Sequence, residues 1–398
     1  MADMNVWSQR DTCSIVGVGN TEYSRNSGRS ELTLASEAVE AALKDAGLTV
    51  ADVDGLVRCD YDVVTPHALS MSLGIKNLTY FGDVGPGGTA PPGQVAHAVA
   101  AILSGQAKTV VVYRALNGRS GLRLGSGKQR IHSDVVGGRG TYDELFIPYG
   151  LIAAGQAFGM YAQRHMIDFG TTTDQLAEVA LVCRENANDN PNAQSGGKNL
   201  TLDEYHNSRM IATPLRLFDY CQETDGACAL VITSTERAKD LRQHPVLISS
   251  VAMGAPDDVR GGVIFPSVTR KDITYLSSFN CAKTLYNRAG FGPDEVDVAQ
   301  VYDCFTISVL IQLEAYGFCK RGESGPFVES GAIRRTGSLP VNTAGGHLSE
   351  GYIHGMNMIA EGVRQMRRTA NVQVADAETC LVTGGPALLT TALMLRRA

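Results

Sequence analysis

Two stretches of this chain repeat one another, and that repetition limits the possible folds more than any other feature. Residues 41–57 read AALKDAGLTVADVDGLV and residues 284–300 read TLYNRAGFGPDEVDVAQ. In each, a helical segment closes on Ala-Gly, two residues turn the chain, an acidic pair brackets a valine, and an apolar segment begins. Gly47 to Asp54 matches Gly290 to Asp297 at one constant offset. Both glycines stand where a helix ends on a left-handed residue, a conformation that glycine adopts without a Cβ clash.

A second pairing supports the first. The small-residue helical pattern AHAVAAILSGQAK (96–108) is followed by TVVVYRA (109–115), a continuous apolar run suited to a strand buried on both faces. Late in the chain GMNMIAEGVRQMRR precedes TCLVTGG in the same order. At 398 residues the chain is too long for one ordinary core, which leaves two or three packed units or a duplicated fold sharing one sheet system. The repeats point to duplication, with an N-terminal half at 1–240 and a C-terminal half at 241–398. Helices alternating with short Val/Ile/Leu runs predict an α/β protein whose mostly parallel sheets are covered by helices. Residues 120–215 read as an insertion, first glycine-rich and then helical with polar interruptions. Insertions of that kind cover an active site or a subunit contact.

Charge and cysteine usage exclude several functions. The formal charge is −6 and the basic residues are scattered, so no nucleic-acid surface is expected, and RQMRR near 364–368 reads as a solvated helix face. The segment MADMNVWSQRDTCSIVGVG has no basic stretch leading into an apolar run, and nowhere do about 18 apolar residues follow one another. A cytoplasmic protein without a membrane span is the expectation. Nine cysteines with no C-x-x-C spacing fit reduced, buried thiols rather than disulfides or a metal site. GVGNTEYS and GPGGTA lack the full spacing of a nucleotide-binding loop.

Three segments carry a resemblance: NTAGGHLSEGYIHGMNMIAEGV (342–363), VYDCFTISVLIQLEAYGFC (301–319) and PLRLFDYCQETDGACALVITS (214–234). They resemble the thiolase superfamily, in particular its lipid-transfer-protein-like branch and the aldolases there that cleave steroid side chains attached to coenzyme A. The likeness runs over most of the chain and is weakest between about 250 and 282. It implies a duplicated five-layer α-β-α-β-α fold, carrying here an inserted loop region. It also implies four catalytic elements. The acyl-accepting cysteine of a thiolase maps to Thr89, after Gly88 in GPGGTAPPG. The strand-end motif reads Tyr302-Asp303-Cys304-Phe305, and the loop that normally holds a histidine reads Ser349-Glu350-Gly351-Tyr352-Ile353-His354-Gly355. The C-terminal Cys-x-Gly keeps its glycines as Gly384 and Gly385, with Val382 and Thr383 where that cysteine could lie. Cys380 comes too early and is expected to face the core.

The thiol chemistry is thus missing while its scaffold remains. A threonine hydroxyl is a poor nucleophile without a dedicated base, so covalent acyl transfer from Thr89 is disfavoured. Steroid aldolases carry tyrosines at the positions of Tyr302 and Tyr352. A retro-aldol cleavage needs a base for the β-hydroxyl proton and donors for the enolate oxygen, and a phenol can donate without charge but needs an acceptor to act as base. Asp303 and His354 are the neighbouring candidates for tuning or relay. Gly346 and Gly351, with Gly345 and Gly355, permit close approach of backbone to substrate.

The expected activity is that of a lyase splitting a steroid β-hydroxyacyl-CoA into a ketosteroid and a short acyl-CoA, most plausibly propionyl-CoA. The alternatives are a thiolase or acyltransferase of the same fold, or a lipid or acyl-CoA carrier. No bound cofactor or metal is expected, coenzyme A arriving as the substrate's thioester. The resemblance further implies a homodimer joined through sheet edges, for which the 109–115 strand is the candidate, and a small hydratase-associated OB-fold partner.

Overall fold

In the computed structural model, residues 7–121, 123, 146–257, 268–387 and 389–398 are described. The glycine-rich part of the expected insertion at 124–145, and 258–267 within the region of weakest resemblance, lie outside them. Among the described residues nine strands form one hydrogen-bonded sheet: β1 (Cys13–Asn20), β2 (Gly55–Cys59), β3 (Tyr80–Val84), β4 (Thr109–Asn117), β5 (Asp225–Ser234), β6 (Val246–Gly254), β7 (Val298–Gln300), β8 (Thr379–Thr383) and β9 (Thr390–Arg397). Their order is β3-β2-β4-β5-β1-β6-β9-β8-β7.

The duplication is visible in the ladder. Outward from β1, the neighbours β5 and β4 join antiparallel and β2 joins parallel. Outward from β6, β9 and β8 join antiparallel and β7 joins parallel. The two series meet where β1 and β6 pair at Ser14↔Leu247 and Ile15↔Val246. Antiparallel pairs therefore outnumber parallel ones, which corrects the expectation of mostly parallel sheets. The short connection between β8 and β9 makes an antiparallel return and needs no crossover helix.

Local chemistry repeats as well. Helix α1 (Glu31–Ala46) starts at Ser30, whose side chain accepts the Thr33 N–H, and it ends at Gly47 with φ 74°. Its repeat, Ser278–Ala289, ends at Gly290 with φ 78°. The Asp54 carboxylate accepts the N–H groups of Lys108 and Thr109 at 2.9 and 2.8 Å, fixing the start of β4. Asp297 accepts those of Glu378 and Thr379 at 2.9 Å, fixing β8.

Five further helices complete the frame used below: α2 (Ala90–Leu103), α3 (Ala154–Phe169), α4 (Thr173–Asn188), α6 (Thr306–Ala315) and α7 (Met356–Arg367), with α5 the repeat helix Ser278–Ala289. Helix α1 packs on β1, β4 and β5, and α5 packs on β6 and β9. Helices α2 and α7 pack on each other and touch strands of both halves. The layers therefore run helix, strand, helix, strand, helix, with α2 and α7 in the middle.

The run 109–115 is buried throughout and paired on both sides, by β2 and β5. It is no edge, which corrects the expectation for a sheet-edge contact. In the first half the edge is β3, whose Phe81 is 69% exposed. All nine cysteines are free, and seven of them are buried.

Candidate active site

The two tyrosines are brought together by backbone locks on separate segments. Beyond β7, Val301 donates its N–H to Asn342 Oδ1 at 2.7 Å, and Tyr302 donates its N–H to Thr383 Oγ1 at 2.9 Å. The Tyr302 carbonyl accepts Gln312 Nε2 at 2.7 Å and Ser308 Oγ at 2.8 Å, both from α6. The loop 345–355 is fixed by Asp303, whose carboxylate accepts the N–H groups of His347 and Leu348 at 2.8 and 3.2 Å. Tyr352 then donates its N–H to Thr224 Oγ1 at 2.9 Å. The phenol oxygens of Tyr302 and Tyr352 meet at 2.9 Å. A Cβ on Gly88 would lie 1.8 Å from the Tyr302 oxygen, so only glycine leaves room for that hydroxyl.

The pair opens onto a cavity of about 890 Å³. Gly87, Gly88 and Thr89 line one wall; Phe158 of α3, Tyr220, Phe305 and Leu348 line an apolar wall. Phe158 stacks on Phe305 at 4.4 Å and Tyr220 meets Phe305 edge-on at 4.8 Å. Arg25, Arg119, Arg123, Arg184 and Arg209 also line it, and Glu223 approaches Arg123 to 2.6 Å. An apolar interior with a cationic rim suits a ligand with a hydrophobic body and an anionic end.

Burial sets the protonation of the groups around the phenols. It pushes Tyr302 well above the ordinary tyrosine range, and the neighbouring Tyr352 adds to the rise. It pushes Tyr352 up too, helped by Cys221 and Cys304; the hydrogen bond with Tyr302 and the Arg114 cation pull the other way. His354, held at φ 50° and buried, is driven well below the usual histidine value by burial and then by Arg114 and His347. Its imidazole is thereby held neutral, and among the described residues its Nδ1 has no hydrogen-bond partner. The His347 ring packs edge-on against both phenols, at 4.7 and 4.9 Å between centroids. Its Nδ1 lies 3.1 Å from Asp303 Oδ1, outside hydrogen-bonding direction.

Comparisons with known proteins show the family. Residues 266–395 match the family model described as thiolase C-terminal domain-like. Over 96% of its length the chain is 44% identical to 17-hydroxy-3-oxo-4-pregnene-20-carboxyl-CoA lyase of Mycobacterium tuberculosis, covering 98% of that protein. It belongs to the steroid side-chain-cleaving aldolases of the thiolase superfamily. The aldolase bearing that name in Thermomonospora curvata is likewise 44% identical over 96% of this chain and 97% of its own. A solved Ltp2-ChsH2(DUF35) aldolase superposes with a TM-score of 0.91 at 42% identity, covering 98% of both chains.

In this aldolase the residues named from sequence fall into two groups. Tyr302, Tyr352, His354, Thr89, Gly88 and Gly385 line the cavity. Thr89 donates its hydroxyl to the Pro86 carbonyl at 2.7 Å, which occupies its proton within the turn. Asp303 is fully buried behind the cavity and serves the loop backbone. Gly346, Gly351 and Gly384 also stand behind the wall: a Cβ would meet Asp303 at 2.2 Å, the Tyr23 ring at 2.9 Å and Thr391 Oγ1 at 2.9 Å, respectively. Their role in this structure is close packing. Cys380 faces the core against Gly362. The sequence reading missed His347, though its letter stands in GGHLSEG, and Arg114, whose signal was a lone cation inside an otherwise apolar buried run. Among the described residues no group of three or more His, Cys, Asp and Glu is placed to hold a metal.

Proposed function

We propose that this chain cleaves the side chain of a steroid β-hydroxyacyl-CoA by a retro-aldol reaction, releasing a ketosteroid and propionyl-CoA, in the cytoplasm. The observation that carries the proposal is the pair of phenol oxygens 2.9 Å apart on the wall of the cavity. Either hydroxyl can donate in that hydrogen bond, and the Arg114 cation favours the ionised form of Tyr352. Tyr352, having lost its own proton beforehand, takes the β-hydroxyl proton as a phenolate, with Tyr302 donating a hydrogen bond to it. The Cα–Cβ bond breaks, its electron pair passes to the thioester as an enolate, and the former hydroxyl carbon leaves as the ketone. His354, neutral and facing the cavity, is suited to donate an N–H to the enolate oxygen without first losing a charge. Return of the proton to the α-carbon completes the acyl-CoA.

The aromatic wall suits the rings of a steroid, and the arginine rim suits the phosphates of coenzyme A. No cofactor is required beyond that thioester. The chain works as a homodimer paired through β3, the edge of its first half. A small OB-fold partner of the ChsH2(DUF35) kind completes the entrance, where Ile152, Ile211 and Leu217 are exposed beside the cavity. The test supplies a synthetic steroid β-hydroxyacyl-CoA without free coenzyme A and follows ketone release. Release under those conditions supports the aldolase. A need for added coenzyme A would instead mean a thiolase, and absence of product a carrier.

A further inference from the structure

Arg114 is buried completely, and among the described residues its three guanidinium nitrogens have no hydrogen bond of full geometry, the Cys59 thiol being a marginal partner. Asp62, also buried, approaches it to 3.6 Å, and among the described residues its carboxylate oxygens too lack a hydrogen bond of full geometry, the Ala115 N–H being a marginal partner. A buried charged pair that satisfies so few of its bonds is an expensive way to hold a strand. Its placement suggests another use.

On β4, Val110 and Val112 join the main core while Val111, Tyr113 and Ala115 join the core under α1. Alternation therefore turns Arg114 to the inner face together with Leu116, which lines the cavity two residues on. Arg114 pairs across the sheet with Cys228 and Leu116 pairs with Gly226. Over those two partners lies the segment that follows Tyr352: the Cys228 thiol meets the Met356 carbonyl at 3.6 Å, and the Ile353 side chain is 3.3 Å from the Cβ position of Gly226. The guanidinium thus sits under the tyrosine loop.

We propose that Arg114 is a positioning residue whose charge favours the phenolate of Tyr352, the form able to take the substrate proton, with Asp62 setting how much of the Arg114 charge reaches the phenol. The proposal rests on the reading of Tyr352 as proton acceptor. Facing Tyr352 are Tyr302, Cys221, Cys304, His347, His354 and Arg114. Facing the Arg114–Asp62 pair are Arg58, Cys59, Asp60, Tyr61, Tyr113, Tyr352 and His354. Of these, Arg114 and Arg58 are the permanent cations, and Arg58 is directed to Asp83 at 2.7 Å.

Two substitutions should act in opposite directions. Arg114→Gln removes the cation and leaves Asp62 facing the phenol, so the curve of turnover against pH at saturating substrate should move to higher pH. Asp62→Asn removes the opposing carboxylate and should move the curve to lower pH. Each unit of displacement changes turnover about tenfold at a fixed pH on the rising limb. A pair that only braces the strand would lower thermal stability in both variants and leave the curve in place. Arg114→Lys, which keeps the charge, should keep the curve near its original position; if the glutamine variant does not fold, the downward displacement expected of Asp62→Asn carries the test. Displacement in the same direction, or none, would overturn the proposal. Tyr352→Phe, measured alongside, separates the two levels: a fully active phenylalanine variant refutes the acceptor reading itself, whereas an inactive one with undisplaced curves refutes only the role of Arg114.

Discussion

At the scale of single residues, the proposed chemistry depends on two hydroxyl groups and on a third that is already engaged. Tyr302 and Tyr352 hydrogen-bond to each other, so removing either oxygen breaks the same unit. Tyr352→Phe and Tyr302→Phe should each lower turnover by roughly a hundred- to a thousandfold, the typical loss for one donor to developing charge. KM should change little, and the double variant should lose far less than the product of the two. Steady-state kinetics on folded protein checks this, and near-normal turnover in Tyr352→Phe would leave the tyrosine as packing. Thr89 makes the complementary prediction. Its hydroxyl is bonded to Pro86 and no base activates it, so intact-mass spectrometry after mixing with substrate should find unmodified protein. An acyl adduct on Thr89 would assign the chain to the thiolases.

At the scale of elements, the loop that carries Tyr352 is anchored by a carboxyl group kept neutral. Burial pushes Glu350 from its ordinary 4.5 up to about 8, while hydrogen bonds from Asn357 at 2.8 Å and Asn190 at 3.4 Å oppose the rise. The folded state holds this proton more tightly than the unfolded chain does. The stabilisation is therefore complete below about pH 4.5 and is lost as pH rises through about 8. Glu350→Gln should flatten that decline, which urea unfolding on either side of the window would measure. Elements were also where the sequence was most legible. Gly47 and Gly290, and the Asp54 and Asp297 that fix the following strands, act through contacts close in the chain or through a repeated pattern, so their letters carry the structure. The burial of 109–115 was legible from its unbroken apolar run, whereas its place inside the sheet depended on distant β5 and could not be read locally. The tyrosines were found by family resemblance, since no spacing rule brings residues 302 and 352 to one point. Arg114 and Asp62 escaped notice because their meeting depends on the register of β2 and β4.

At the scale of the whole molecule, β3 leaves one side of its backbone unpaired at the edge of the sheet, with Phe81 exposed on it. A second copy of the chain is the expected cover, and light scattering at micromolar concentration should report a dimer. A proline in place of Gly82, in the middle of that strand, should shift the mass toward the monomer, because it removes a donor from the edge. A stable dimer in that variant would place the contact elsewhere. The duplication has a further consequence, in terms of what mutation can exchange between the two copies. The strand-end residues of the first repeat, Cys59 and Asp60, lie against Gly87 and Gly85: the Cys59 thiol meets the Gly87 carbonyl at 3.7 Å, and a Cβ on Gly85 would fall 2.0 Å from Asp60. Those of the second repeat, Tyr302 and Asp303, serve the cavity and its loop. One copy thus braces the turn before α2 while the other is free to diverge toward new chemistry. The helix-closing turns at Gly47 and Gly290 remain alike, each glycine at positive φ, whereas the strand ends that follow them do different work within one chain.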